Sequence, residues 1–121
     1  MRKITLLMLI AFMTITAHGQ NKLLSSIQEY YDGSSWVNNQ GYNYEYDSNN
    51  NLIVETGLSY VNSVWKSYEL TTYTYNASNK VTQVNHQNWN GLTNQLENSY
   101  RTINTYTNGK ITETVEYSWE N

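Results

Sequence analysis

The fold is encoded most clearly in three adjoining segments, WVNNQGYNYEY (36–46), DSNNN (47–51) and LIVETGLSY (52–60). Tyr, Trp, Val, Ile and Thr favour strands and are frequent in the outer two segments. Asp, Ser and Asn favour turns and fill the segment between them. Neither outer segment has the 3.6-residue apolar spacing of a helix, so the stretch predicts a β-hairpin.

The same pattern recurs in the rest of the chain. The units span about 36–60, 65–89 and 96–119. The residue before each polar loop is Tyr46, Tyr75 or Tyr106. We therefore predict that residues 31–121 form an all-β domain, an antiparallel meander of six to seven strands built from three hairpin repeats. The sheet is expected to be a twisted single layer or a partly curled one.

Strand limits follow from the positions of the polar loops. The predicted strands are 36–46, 52–60, 65–75, 81–89, 96–106 and 111–119. Residues 20–30 are a tail or a first strand, with the strand at 27–31. The last residues, Trp119-Glu-Asn121, look like the opening of a further loop. We therefore expect a truncated array with an open edge that can associate with further repeats.

The first 19 residues differ from the repeats. Arg2 and Lys3 precede an apolar stretch at 4–17, and small residues precede a plausible cleavage site before Gln20. This predicts a signal peptide at 1–19 and no membrane span after its removal, since a bilayer needs about 20 apolar residues. We expect a secreted protein, extracellular or at the cell surface, with the periplasm as the alternative.

Composition narrows the classes of partner. The chain has no Cys, so neither disulfides nor zinc–thiolate sites are expected, and no cofactor is predicted. Seven basic residues stand against ten acidic ones, and two of the basic residues lie in the predicted signal peptide. This balance argues against nucleic acid as a partner. Polysaccharides or other surface proteins remain as candidate partners.

The repeats resemble a known family. Tyr44-Glu-Tyr-Asp-Ser-Asn-Asn-Asn-Leu52 and Tyr73-Thr-Tyr-Asn-Ala-Ser-Asn-Lys-Val81 resemble the tyrosine–aspartate (YD, Rhs-like) repeat. Together with the Trp that opens the first two units, they look most like secreted repeat proteins of Bacteroidota. The resemblance implies export associated with type IX secretion, although no sorting domain is recognised in residues 31–121. In toxin-type relatives the sheet spirals into a shell, which three units are too few to close.

Aromatic side chains are the candidate ligand-binding site. Two-residue alternation places five of them on one face of the predicted sheet. These residues are Trp65, Tyr73, Tyr75, Trp89 and Tyr100. Flat rings stack on sugars, so the set predicts a ligand platform. The alternative is that the same rings form the core of the repeat array.

No catalytic or metal-binding set emerges from the sequence. Asp47-Ser-Asn-Asn-Asn51 begins like a calcium loop, but Leu52 and Leu58 stand where an EF-hand needs Gly and Glu, so a hairpin loop with Asx-type bonds is expected. His86 is expected at the surface. Solvated edge charges are favoured over a glycosidase-type carboxylate pair, because so small a meander rarely has a cleft. The carboxylates concerned are Glu45, Glu55, Glu97, Glu113 and Glu116.

Three functions remain open. The leading hypothesis is an exported, non-enzymatic β-repeat protein with a structural or adhesive role at the cell surface or outside it. The alternative is a carbohydrate-binding module that uses the aromatic face. An enzyme, or a fragment of a toxin-type repeat shell, is the third.

Overall fold

The structure is a computed structural model that describes residues 22–119. The predicted signal peptide at 1–19 lies outside the described residues. All regular structure in the described part is β. The strands are β1 Ser25–Tyr31, β2 Trp36–Tyr46, β3 Leu52–Val61, β4 Val64–Tyr75, β5 Val81–Asn90, β6 Gln95–Thr107 and β7 Lys110–Ser118.

The seven strands form one antiparallel sheet in chain order, β1 to β7. The predicted all-β meander is therefore confirmed, and the sheet is a single layer rather than a curled one. The six strands from β2 to β7 match their predicted limits to within one residue at each end. β1 begins at Ser25, two residues before the predicted strand.

Two of the loops are copies of one another. Asp47 N donates to Asn51 O at 2.9 Å, and in the next hairpin Asn76 N donates to Lys80 O at 3.0 Å. The fourth residue of each loop, Asn50 or Asn79, has a positive φ. Asn tolerates this left-handed region better than other residues with a side chain. The predicted polar loops therefore share a backbone conformation as well as a composition.

Two other connections are shorter than the sequence suggested. Val61 pairs with Val64, and Thr107 pairs with Lys110, so only two residues form each turn. In both turns the two central residues have positive φ, as a type I′ hairpin turn requires. The strands thus extend through residues that the sequence assigned to loops of about four residues.

A register shift interrupts each of the six strand pairs. At each shift, one strand has one more residue than the strand it pairs with. The extra residue has no partner and forms a β-bulge. The extra residues are Asn39, Ile53, Tyr68, Thr82, Ser99 and Thr112. The bulges recur with the sequence repeat. A bulge reverses the alternation of side chains, so residues on either side of one exchange faces.

The sheet therefore has two distinct faces. The tryptophan face carries Leu58, Trp65 and Arg101, and the tyrosine face carries Tyr42, Tyr73 and His86, as the register and the side-chain contacts place them. No hydrophobic residue in the described part is buried, and Thr71 is the one buried polar residue there. A single layer cannot enclose a core, so both faces remain open to solvent.

Candidate ligand-binding faces

Equivalent side-chain pairs recur on the tryptophan face. Each pair lies beside the loop that joins β1 to β2, β3 to β4 or β5 to β6. The register places Tyr31 opposite Trp36, Tyr60 opposite Trp65, and Trp89 opposite Leu96. The ring centroids are 5.6 Å apart in the first pair and 4.9 Å apart in the second, and both pairs are tilted. Such tilted contacts are favourable for aromatic rings. We call these three pairs the aromatic row.

Trp65 lies across its neighbouring strands and covers Gly41 of β2. A Cβ atom at Gly41 would lie 3.3 Å from Cζ3 of Trp65 and 3.2 Å from the Ser26 carbonyl oxygen. The missing side chain therefore lets the indole pack close to the backbone. A shallow trough beside the ring is lined by Ile27, Leu58 and the polar side chains of Ser25 and Asn43.

Trp89 belongs to the tryptophan face by alternation. Its neighbours Asn88 and Asn90 bond to His86 and Glu97 on the opposite face. Pairing between β4 and β5 ends at Glu69 and Asn88, so the tips of the two hairpins separate beyond that point. Trp89 borders the notch between them, together with Val61, Lys66, Tyr68 and Asn94.

Exposure differs along the aromatic row. Trp36 is 68 % exposed and Trp89 is 45 % exposed, while Trp65 and Tyr60 are half-buried. At the β7 edge, the Arg101 guanidinium lies 4.6 Å from the Tyr117 ring centre and 5.6 Å from that of Trp119. The most open indoles of the aromatic row are therefore Trp36 and Trp89, with a half-buried pair between them.

The prediction that five aromatic residues share one face is wrong. Trp65 and Trp89 lie on the tryptophan face, whereas Tyr73, Tyr75 and Tyr100 lie on the tyrosine face. The physical cause is the bulge in each strand pair. Tyr68, for example, separates Trp65 from Tyr73 within β4 and reverses the parity between them.

The Tyr that recurs before each loop has a structural role. The hydroxyl of Tyr46 donates to Leu23 O at 3.0 Å, that of Tyr75 to Leu52 O at 2.7 Å, and that of Tyr106 to Val81 O at 2.8 Å. Each bond reaches a carbonyl at or just before the start of the preceding odd-numbered strand. These hydroxyls therefore tie the first strand of each repeat unit to the start of the strand before it, which explains their regular spacing in the sequence.

His86 is the centre of a polar cluster on the tyrosine face. Its Nδ1 lies 2.9 Å from Thr71 Oγ1, and its Nε2 lies 3.0 Å from Asn88 Oδ1 and 3.8 Å from Glu69 Oε2. The imidazole also stacks on Tyr100, with ring centroids 4.6 Å apart. The side chain of His86 is only 13 % exposed, so it is not the open surface residue that the sequence predicted.

Thr71, His86 and Glu69 superficially resemble a hydrolase triad. Thr71 is 7 % exposed, so its hydroxyl is shielded from any substrate in solution. With the proton on Nε2, His86 donates to Asn88 and accepts from Thr71, and both ring nitrogens are then engaged. A nucleophile must be reachable as well as activated, so this geometry favours a structural role for the cluster.

The tyrosine face also shields phenol groups. Burial, followed by a hydrogen bond with Tyr42, raises the pKa of Tyr68 well above its usual value, and the two hydroxyl oxygens are 3.0 Å apart. Burial likewise raises the pKa of Tyr73 and Tyr75, with a further contribution at Tyr73 from the carboxylate of Glu55. These phenols are therefore expected to stay protonated in the folded protein at physiological pH.

The carboxylates of Asp47 and Glu97 accept hydrogen bonds from residues close to them in sequence. Asp47 Oδ1 accepts from the backbone N–H groups of Asn49 and Asn51, both at 2.8 Å, so the predicted Asx-type loop is confirmed. The side-chain amide and the backbone N–H of Asn51 lower the pKa of Asp47. The hydroxyl of Thr93, and then the amide of Asn90, lower the pKa of Glu97.

The carboxylates considered for glycosidase chemistry are dispersed. They lie on β2, β3, β6 and β7, and both faces of the sheet carry some of them. Within residues 22–119, no three His, Asp or Glu side chains come close enough together to hold a metal ion.

Two close contacts between a side chain and a glycine of another strand were not predicted from the sequence. Besides Gly41, Gly57 matters because a Cβ there would collide with the side chain of Glu69 on the adjacent strand. Glycine inside a strand pattern is the signal that could have revealed both close approaches.

Similar proteins occur among solved structures. A DUF3836 family protein from Bacteroides vulgatus is 31 % identical, with a TM-score of 0.58, and the match covers 69 % of this chain and 83 % of that one. This chain belongs to the DUF3836 family. No family model and no curated protein matches its sequence. The resemblance to YD repeats stays a prediction, because none of the similar proteins tests it.

Two further structures share the fold at lower identity. A DUF3836 family protein from Parabacteroides distasonis is 14 % identical, with a TM-score of 0.53, covering 78 % of this chain and 77 % of that one. A protein with unknown function from Bacteroides fragilis is 16 % identical, with a TM-score of 0.51, covering 79 % and 81 %. These structures share the fold of this chain, and their descriptions name no reaction. Across residues 22–119, no helix is present that could cross a membrane.

Proposed function

We propose that this protein is an exported, non-enzymatic binding protein with an adhesive or structural role at the cell surface or outside it. Its binding surface is the tryptophan face. The observation that carries the proposal is a single-layer sheet with no buried hydrophobic residue among those described, and with open indoles at Trp36 and Trp89. Contiguous exposed aromatic surface is typical of interaction sites.

The energetics support a role in binding. Trp and Tyr are the residues that most often dominate binding interfaces, and truncating one at the centre of an interface costs about 2 kcal/mol or more. Aromatic side chains that already pack on the surface of the sheet have little conformational freedom to lose when a partner covers them. The polar cluster around His86 is on the other face and is engaged internally, so it does not compete with this role.

Export is supported by the predicted signal peptide at 1–19. N-terminal sequencing of protein recovered from the culture medium or cell surface tests it. A chain that begins at Gln20 is the expected result. A chain that stays in the cytoplasm with Met1 in place would contradict export.

A second candidate function is carbohydrate binding. It is favoured by the trough beside Trp65, where an indole lies next to the hydroxyl of Ser25 and the amide of Asn43. An apolar surface with a few polar groups at its border is the usual composition of a small-molecule site.

Trp36→Ala and Trp89→Ala variants of the mature chain test the role of the tryptophan face. We expect both variants to lose adhesion to immobilised envelope fractions and polysaccharides, and to remain folded because both side chains are exposed. Tyr30→Ala is the matched control, since Tyr30 is 51 % exposed in the same hairpin but lies on the opposite face. Adhesion that survives both Trp substitutions would contradict the proposal.

A further inference from the structure

We propose that the tryptophan face binds a single chain of a neutral, linear polysaccharide, which crosses the strands and contacts successive pairs of the aromatic row. This inference rests on the proposed function, because it requires the tryptophan face to be the binding surface. It goes further by naming the chemistry of the ligand and its direction on the sheet.

The regular spacing of the aromatic row favours a ligand that repeats along its length. The three pairs occupy equivalent positions in consecutive hairpins, so each pair is two strands from the next. Paired strands lie about 4.8 Å apart, so successive pairs are at least about 9.6 Å apart. The distance is larger than this because pairing between successive hairpins ends at Ser59 and at Asn88, before the aromatic pairs are reached. An extended polysaccharide spans such a distance with a few sugar units. A ligand that repeats along its length can therefore engage every pair in the same way.

The side chains around the aromatic row have the chemistry that binds sugars. Indole and phenol rings stack on the apolar faces of sugar rings, and amides and hydroxyls bond to sugar hydroxyls. The register places a set of uncharged polar residues on this face. They are Ser25, Asn38, Asn43, Ser67, Asn85, Gln87 and Asn98. Within this set, Gln87 Nε2 donates to Asn98 Oδ1 at 3.1 Å.

The negative charge of the protein favours a neutral ligand. The chain carries a formal net charge of −3, and it becomes more acidic when the basic signal peptide is removed. An anionic polymer would be repelled by this charge and by Glu29, which lies on the same face opposite Asn38, and no series of cations lies between the pairs to offset that repulsion. A neutral polymer fits both the local surface and the overall charge.

The twist of the sheet narrows the form of the ligand. Adjacent strands rotate by about 20–25°, so successive pairs are turned relative to one another. A flexible single chain can follow this rotation, whereas the flat surface of a crystalline polymer cannot contact all the pairs at once. We therefore expect soluble chains to bind better than crystalline ones.

Titration calorimetry with a length series of neutral oligosaccharides tests the inference. The probes are cello- and manno-oligosaccharides, with laminarin and linear β-mannan as polymers and alginate as the anionic comparison. We expect at least a tenfold gain in affinity once an oligosaccharide is long enough to reach a second pair, because the second contact is then intramolecular. Trp36→Ala should weaken binding of long chains by about 10–30-fold. Tyr30→Ala, on the opposite face, should leave it unchanged.

The possible results separate the two proposals. A neutral chain whose affinity does not grow with length, or that Tyr30→Ala weakens as much as Trp36→Ala, overturns the inference. Preference for alginate also overturns it. If no glycan binds but Trp36→Ala and Trp89→Ala still abolish adhesion to envelope proteins, the inference fails and the proposed function stands. If neither substitution changes any adhesion, the proposed function fails as well.

Discussion

Gly57→Ala should destabilise the sheet, although alanine is usually the better residue in a strand. The new Cβ would collide with Cγ and Cδ of Glu69, which lies directly opposite on β4. Cγ is close to the backbone, so the side chain must change rotamer to make room. That change would also remove Glu69 from its position 3.8 Å from His86 Nε2.

The expected magnitude is a difference between two opposing effects. Overpacking costs about 1–3 kcal/mol in the folded state. Replacing Gly by Ala restricts the unfolded chain and offsets about 0.4–1 kcal/mol of that cost, since φ at Gly57 is not in the left-handed region. The net loss is about 1.5 kcal/mol. In a domain of this size it lowers the melting temperature by about 6–12 °C.

Urea unfolding of four variants provides the test. Gly57→Ala should lower the unfolding midpoint without changing the slope m, which would show that stability alone has changed. Gly91→Ala is the matched control, because a Cβ there meets nothing within 4 Å. In a Glu69→Ala background the collision is absent, and Gly57→Ala should then be neutral or stabilising. An equal loss with and without the Glu69 side chain would refute the reasoning.

Two further predictions follow from the repeat. Asn76→Ala should cost about 1–2 kcal/mol because Asn76 Oδ1 accepts from the N–H groups of Ser78 and Lys80, whereas Asn76→Asp should be tolerated as Asp47 is in the equivalent loop. Thermal unfolding of both variants checks this, and equal stability of the two would contradict it. Burial raises the pKa of Tyr75 above its ordinary value of 10.0, so its contribution to stability should be complete below pH 10 and decline as the pH rises towards the folded pKa. Unfolding midpoints measured from pH ~8 to ~11 should fall less steeply in Tyr75→Phe than in the wild type, and parallel curves would contradict the prediction.

The strands were predictable because they depend on local chemistry. Tyr46, Tyr75 and Tyr106 mark the strand ends, and the adjoining Asn-rich loops adopt the positive φ that Asn tolerates. The candidate site was predictable only in part. Trp65 and Trp89 could be identified as aromatic candidates, but their face could not, because a bulge is a property of two paired strands and leaves no clear mark on either one.

The sequence by itself determined the all-β class, the hairpin repeat and the positions of the loops, since each depends on residue preferences over about ten neighbouring positions. Only the tertiary structure decided which side chains share a face. One extra residue in each strand pair reverses the alternation, and so separates Trp65 from Tyr73 and brings Glu69 to His86. Register is fixed by the pairing of each strand with its neighbours in the sheet, so it depends on two strands together and not on the residue preferences of either one. The division into a tryptophan face and a tyrosine face therefore appears only when the strands are paired.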